Sequence, residues 1–176
     1  QLVQRLHETL LNTPAALTYV TDKRGWQLST VKTAKLGYMP QDKRPLLADL
    51  NLSDNWRAAI QKFPPNMIVY VHTEQGRLTY LSGRSIEGKK HYNPPREIIG
   101  ERQPYYNHLY GPQVEQVVIV EGQADAITFA EWGVTAVAIG GMQAADELLK
   151  RLKAHPRLFV ALDNTDEARA KSRSLA

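Results

Sequence analysis

The sequence predicts an α/β protein in two parts, a mixed α+β lobe over residues 1–112 and a parallel βαβαβ sheet over residues 113–176. Three observations carry that expectation. After residue 116, apolar β-branched runs alternate with helical stretches at short spacing, the rhythm of a parallel sheet with right-handed crossovers. Earlier, two strand-like runs flank Glu74-Gln75-Gly76 and read as a hairpin. At the start, Leu2, Leu6 and Leu10 recur every fourth residue, one face of a short helix.

Thr13-Pro14 ends that first helix, a second helical stretch follows around Ala15 to Val20, and Asp22-Lys23-Arg24-Gly25-Trp26 reads as a turn. Ser29 or Thr30 is the expected cap of another helix that stops at Gly37, with Tyr38-Met39-Pro40 leaving it extended. Ser53-Asp54 opens a helix through Trp56 and Ile60 that Pro64-Pro65 closes. Met67 to Val71 and Leu78 to Leu81 form the hairpin strands. From Gly83 to Gly111 three prolines and several glycines, with no helical period, predict loops or irregular strands. Beyond residue 116 come a strand from Val117 to Val120, a helix near Ala124 to Trp132 closed by Gly133, and a strand from Val134 to Ile139. A Gly140-Gly141 turn, a helix near Ala144 to Ala154, a break at Pro156 and a strand from Leu158 to Leu162 complete the alternation.

The chain has 176 residues, enough for a real core, and 43% hydrophobic content, as expected of a globular protein. No apolar run reaches the roughly 18 residues of a membrane helix, and Gln1-Leu2-Val3-Gln4-Arg5 lacks the pattern of a signal peptide, so the chain reads as intracellular with no membrane partner. Zero cysteines exclude disulfides and a cysteine zinc site within it. The net charge of +4 is uneven: residues 1–116 carry 15 Lys+Arg against 10 Asp+Glu, and residues 117–176 carry 7 against 8. Between Gly76 and Tyr110, Arg77, Arg84, Lys89, Lys90, Arg96 and Arg102 interleave with tyrosines. Basic groups there can neutralise phosphates while aromatic faces stack on unpaired bases; the bland alternative is a solvated loop whose tyrosines pack on the core.

Two strands end abruptly in a carboxylate, Val117-Val118-Ile119-Val120-Glu121-Gly122 and Leu158-Phe159-Val160-Ala161-Leu162-Asp163. If both lie in one parallel sheet, Glu121 and Asp163 emerge at the edge where α/β folds place their sites. Like charges held together repel, and a cation between them relieves this. Asp125 lies one turn into the next helix, and Asp166 and Glu167 follow Asp163 closely. Hard oxygen donors of this kind suit Mg²⁺ or Mn²⁺. Taken singly, each acid is as readily a turn residue or a helix cap.

The stretch Val117 to Ala126, with Glu-Gly-x-x-Asp after a strand, resembles the first motif of the TOPRIM domain, shared by topoisomerases, DnaG-type primases and several nucleases. Gly133 to Ala138 and Leu162-Asp163-Asn164-Thr165-Asp166-Glu167-Ala168 resemble its later elements. Upstream, Arg24-Gly25, Leu36-Gly37-Tyr38-Met39-Pro40, Gly76-Arg77, Gly83-Arg84, Lys90-His91-Tyr92-Asn93 and Leu109-Tyr110 resemble the primase catalytic core in the family's order. The resemblance implies a TOPRIM-type parallel sheet with helices on both faces, and metal-dependent synthesis of short RNA primers on single-stranded DNA. It implies catalytic roles for Glu121, Asp125 and Asp163, and Mg²⁺ or Mn²⁺ held by Glu121, Asp163 and Asp166. Arg84, Lys90, His91, Tyr92, Asn93 and Arg102 would then contact nucleic acid. Its expected partners are template, ribonucleotides and a replicative helicase in cis or in trans, in the cytoplasm of a bacterium or its phage or plasmid replicons.

The second acidic motif departs from the usual Asp-x-Asp: the second acid stands at +3, so either Asp166 or Thr165 occupies the ligand position, and Ala168 stands where glycine is expected. The family continues past such a motif, so the TOPRIM part reads as truncated at its C-terminal end, with any zinc-binding or helicase module outside these residues. Two other readings stay open: a TOPRIM nuclease that hydrolyses phosphodiesters with the same acids, and a non-catalytic nucleic-acid-binding replication module.

Overall fold

In the computed structural model, residues 1–74, 76–100, 103–107, 114–140, 150, 152–153 and 155–175 are described. The chain divides into two compact units, Gln1–Arg102 and Gln103–Ala176, each with its own four-stranded sheet.

The first unit begins with α1 (Leu2–Leu11), whose Leu2, Leu6 and Leu10 are buried as the four-residue period requires. Pro14 sits in the first turn of α2 (Pro14–Thr18), where its missing N–H costs nothing, and the chain continues as a π-helix over Tyr19–Lys23 that takes in the first two residues of the expected turn, which Gly25 completes at φ 72°. Helix α3 (Leu28–Thr33) is preceded by Gln27, so neither Ser29 nor Thr30 is its cap, and it ends before Gly37. That glycine instead opens strand β1 (Gly37–Met39), and its role is proximity: a Cβ there would lie 2.7 Å from Leu6 Cβ. After α4 (Arg44–Leu47), helix α5 (Asp54–Lys62) starts where Ser53 Oγ accepts the Trp56 N–H at 3.5 Å.

The hairpin forms as expected from β2 (Met67–Glu74) and β3 (Arg77–Ser85), antiparallel, with Gly76 at φ 76° in the turn. Strand β4 (His91–Tyr92) adds to β3, giving the order β1-β2-β3-β4. The face of this sheet carrying Met67, Val69, Val71 and Leu81 packs with Leu2, Leu6, Ile60 and Phe63 in one apolar core. A short helix α6 (Arg96–Ile99) lies within the stretch expected to be loop. Four residues are too few for a 3.6-residue period to show in sequence.

The second unit holds β5 (Tyr105–Tyr106), β6 (Gln116–Val120), α7 (Gln123–Glu131), β7 (Ala136–Ala138), β8 (Arg157–Ala161) and α8 (Asp166–Leu175). Its sheet runs β5-β7-β6-β8, with β7 and β8 both parallel to the central β6 and β5 antiparallel on β7. Because β5 joins this sheet, Tyr105 and Tyr106 lie with the second unit, although the sequence reading places them ahead of a division at residue 112. The expected helix near Ala144 to Ala154 falls largely outside the described residues.

Val117, Ile119, Val137, Ile139 and Leu152 form the second core. Asn107 fastens β5 to it: its side-chain amide donates to the carbonyls of Ala126 (3.1 Å) and Val134 (2.9 Å). Strand β8 is the sheet's edge, and Phe159 there is 50% exposed despite the apolar run that announced the strand.

Candidate functional site

The acidic edge is built by strand register. Val120 pairs with Ala161 across parallel β6 and β8, so Glu121 and Asp163 follow one and two residues later at the C-terminal ends of adjacent strands. On the other side of β6, Ile139 N–H donates to the Val120 carbonyl and Gly140 N–H to the Glu121 carbonyl, each at 3.1 Å. The chain leaves β6 for β7 on one flank, whereas β8 lies on the opposite flank. Glu121 therefore stands at a reversal of strand order, the crevice where open α/β sheets bind ligands. Glu121 and Asp163 are both exposed, and neither carboxylate has a hydrogen bond or ion pair among the described residues.

Asp125 is the third residue of α7, and its Oδ2 accepts the Gly122 N–H at 3.1 Å, satisfying an otherwise orphaned donor at the helix start. Gly122 has φ −119°, an ordinary extended value, so it is not there for a left-handed turn. Its value is room: a Cβ would stand 3.0 Å from Asp125 Oδ2.

Asp166 opens α8. The Thr165 N–H donates to the Asp163 carbonyl (2.9 Å) and the Arg169 N–H to the Thr165 carbonyl (2.9 Å), which winds the chain from the strand end into the helix. Arg169 is the residue that the sequence reading missed. Its Nε and Nη2 donate to Asn164 Oδ1 at 3.0 and 2.9 Å, and its Nη1 reaches Asp166 Oδ1 at 3.4 Å. The i,i+3 spacing of Asp166 and Arg169 on a helix was the available signal.

Among the described residues no three Asp, Glu or His side chains gather as a ligand cluster. The donor chemistry nevertheless fits a hard divalent ion: two exposed, unspent carboxylates on neighbouring strand ends suffice for Mg²⁺, which keeps several waters and takes only one or two carboxylates besides substrate phosphates.

The basic face lies in the first unit. Arg84 on β3 stands opposite His91 on β4, with Arg84 Nη1 3.3 Å from His91 Nε2. Arginine only donates, so this is a hydrogen bond when Nε2 is unprotonated. Arg84 Nε and Asn93 Oδ1 are buried atoms with no partner among the described residues, a donor and an acceptor left unspent. Lys90 is exposed and its carbonyl accepts the Ser85 N–H at 2.9 Å, closing the turn between the strands.

Tyr92 is half-buried and packs edge-on against Phe63, ring centroids 4.7 Å apart; burial raises its phenol above the ordinary 10.0. Tyr80 and Tyr105, offered by the sequence as stacking faces, are 1% and 2% exposed and belong to the cores. Arg102 and Tyr110 lie outside the described residues.

The fold is that of the DnaG catalytic core, an α/β architecture. Residues 118–174 match the family described as Toprim-like, which implies a divalent metal in general terms. The chain is 26% identical over 188 residues to the DNA primase of Synechococcus elongatus, covering 91% of this chain and 27% of that protein. It superposes on a solved DnaG catalytic core with a TM-score of 0.77 at 20% identity, covering 99% of this chain and 66% of that one. A DnaG primase catalytic domain solved bound to single-stranded DNA gives 0.76 at 20% identity, with 99% and 65% covered. The chain thus spans just over a quarter of the curated relative's length and just under two thirds of these solved cores.

Proposed function

We propose that this chain forms part of a DNA primase catalytic core, which joins ribonucleotides into a short primer on single-stranded DNA. The observation that carries the reading is the emergence of Glu121 and Asp163, unspent, at the C-terminal ends of adjacent parallel strands where the order of the sheet reverses. The likeness to primase cores along nearly the whole chain supports it.

Glu121 and Asp163 would hold Mg²⁺ or Mn²⁺, and Asp166 would be the third donor. A divalent ion bound there supplies charge for phosphate oxygens and lowers the pKa of an attacking hydroxyl. Asp125 fixes the turn behind Glu121 through the Gly122 N–H and so keeps that carboxylate at the strand end. In the first unit, Arg84 and Lys90 neutralise template phosphates, with Asn93 beside them in sequence. His91 shares the Arg84 contact, whereas Tyr92 braces β4 on Phe63. Arg102, outside the described residues, is a further candidate contact on the sequence alone. A replicative helicase is the expected partner and the cytoplasm the expected compartment; no helix among the described residues is long and apolar enough to cross a membrane.

The test is incubation with labelled ribonucleotides, single-stranded template and Mg²⁺ or Mn²⁺, beside Glu121→Gln. Metal-dependent incorporation that the substitution abolishes supports the primase reading. Cleavage of the template without incorporation selects a nuclease, and full activity in Glu121→Gln removes that residue from the site.

A further inference from the structure

Asn66 stands one residue ahead of β2 and ties together three parts of the first unit. Its N–H donates to the Met39 carbonyl at 2.8 Å, its carbonyl accepts the Ile86 N–H at 3.1 Å, and its Oδ1 accepts the Tyr38 hydroxyl at 2.9 Å. It does so at φ 59°, a left-handed conformation that asparagine tolerates better than most residues with a Cβ. Tyr38 is 6% exposed, so the hydroxyl that holds the amide comes from within the core. Burial first, and the charge of Glu87 second, raise its phenol above the ordinary 10.0, which keeps the group a donor at neutral pH.

Beyond β3 the chain makes a short loop to β4, and this loop carries Lys89 and Lys90. Glu87, Gly88 and both lysines are exposed, so apolar burial does little to fix them. Hydrogen bonds do. Ser85 Oγ donates to the Glu87 carbonyl at 2.6 Å and accepts the Glu87 N–H at 3.0 Å, while the Ser85 N–H donates to the Lys90 carbonyl at 2.9 Å. These bonds fold the loop on itself, and the Ile86 N–H fastens it to Asn66 at the start of β2.

We propose that Tyr38 and Asn66 are positioning residues for nucleic-acid binding, a clamp that presets the Lys89-Lys90 loop for the phosphates of a single strand. The Tyr38 hydroxyl fixes the Asn66 side chain, the fixed side chain keeps Asn66 left-handed, and the carbonyl so placed meets Ile86. A loop ordered in advance loses less conformational entropy on binding than a free one. The clamp rests on the reading of Lys90 as a phosphate contact.

The test is affinity for a fluorescent oligothymidylate, read by anisotropy at fixed salt without ribonucleotides. Tyr38→Phe keeps the ring in the core and removes the donor, and Asn66→Gly keeps the left-handed backbone and removes the acceptor. Each is expected to weaken binding about two- to fivefold, within what one hydrogen bond contributes. In a background carrying Lys89→Ala and Lys90→Ala, the same substitutions should change affinity by less than about 1.5-fold, because the groups they position are gone. A merely structural loss would weaken both backgrounds alike. Circular dichroism checks that each variant folds.

Wild-type affinity in Tyr38→Phe and Asn66→Gly overturns the clamp and leaves the reading of Lys90 standing. Equal weakening in both backgrounds overturns it as well. If the double lysine variant binds as tightly as the wild-type chain, the reading of Lys90 falls and the clamp with it. Coupling in binding without ribonucleotide incorporation refutes the primase reading and leaves the clamp intact.

Discussion

Replacing Gly83 with alanine should damage the first unit from its core outward to the basic face. A Cβ at Gly83 would stand 2.6 Å from Phe63 Cε1, 2.8 Å from its Cζ and 2.9 Å from Met67 Sδ. Carbon contacts settle near 3.5–4.0 Å, so the phenyl ring must retreat by about 1 Å. Met67 can swing aside, but Phe63 is fully buried and seated against Tyr92, so the ring cannot move without pushing β4. Overpacking of this kind costs about 1–3 kcal/mol, and for a unit of this size roughly 2 kcal/mol lowers the melting temperature by about 8–16 °C. Gly83 pairs with Tyr92 and its neighbour Arg84 with His91, so the displaced ring also disturbs the strand that carries the residues proposed to contact nucleic acid. Thermal denaturation followed by circular dichroism, with single-stranded DNA binding by fluorescence anisotropy, reads both effects. The double variant Gly83→Ala with Phe63→Leu should recover part of the stability by making room. A Gly83→Ala variant that melts within about 0.5 kcal/mol of the parent, with unchanged DNA affinity, refutes the packing argument.

Three further outcomes are expected. Asp125→Ala removes the acceptor for the Gly122 N–H and should cost the second unit about 1 kcal/mol in chemical denaturation, with a smaller loss of Mn²⁺ affinity than Glu121→Gln produces. Tyr92 titrates higher in the folded protein because burial disfavours its phenolate, so its contribution is intact below pH 10 and is lost as the pH rises through the raised value; Tyr92→Phe should make unfolding free energy fall less steeply above pH 10. Lys90→Ala should weaken single-stranded DNA binding on every sequence and reduce the slope of log affinity against log salt by about 0.7, the release expected from one phosphate contact on a single strand.

The legible parts of this fold were those written in period and punctuation. Leu2, Leu6 and Leu10 announced α1, Ser53 announced the start of α5, and the β-branched runs around Glu74 and Gly76 announced the hairpin. The acid-tipped strands were legible for the same reason, because an apolar run that ends in a carboxylate marks a strand end, although only β6 of the two is buried and β8 is largely exposed. What escaped depended on distant partners or on very short segments. Gly37 reads as a helix stop in sequence, yet its smallness serves the approach of Leu6, thirty-one residues earlier. Strand β5 is two residues long and exists because β7 offers an edge. The interleaved tyrosines looked like stacking faces, but Tyr80 and Tyr105 point into cores that the one-dimensional pattern could not locate. Arg169 went unseen because its meaning lies in what it touches, an asparagine and an aspartate in an irregular turn.

Mn²⁺ titration of the wild-type chain against Glu121→Gln and Asp163→Asn tests most directly whether the two strand ends form one metal edge. The account predicts that the wild-type chain binds Mn²⁺ and that each substitution weakens binding by roughly tenfold or more, as expected when a ligand itself is lost. Equal affinity in all three proteins, or binding that survives the loss of both carboxylates, would contradict it.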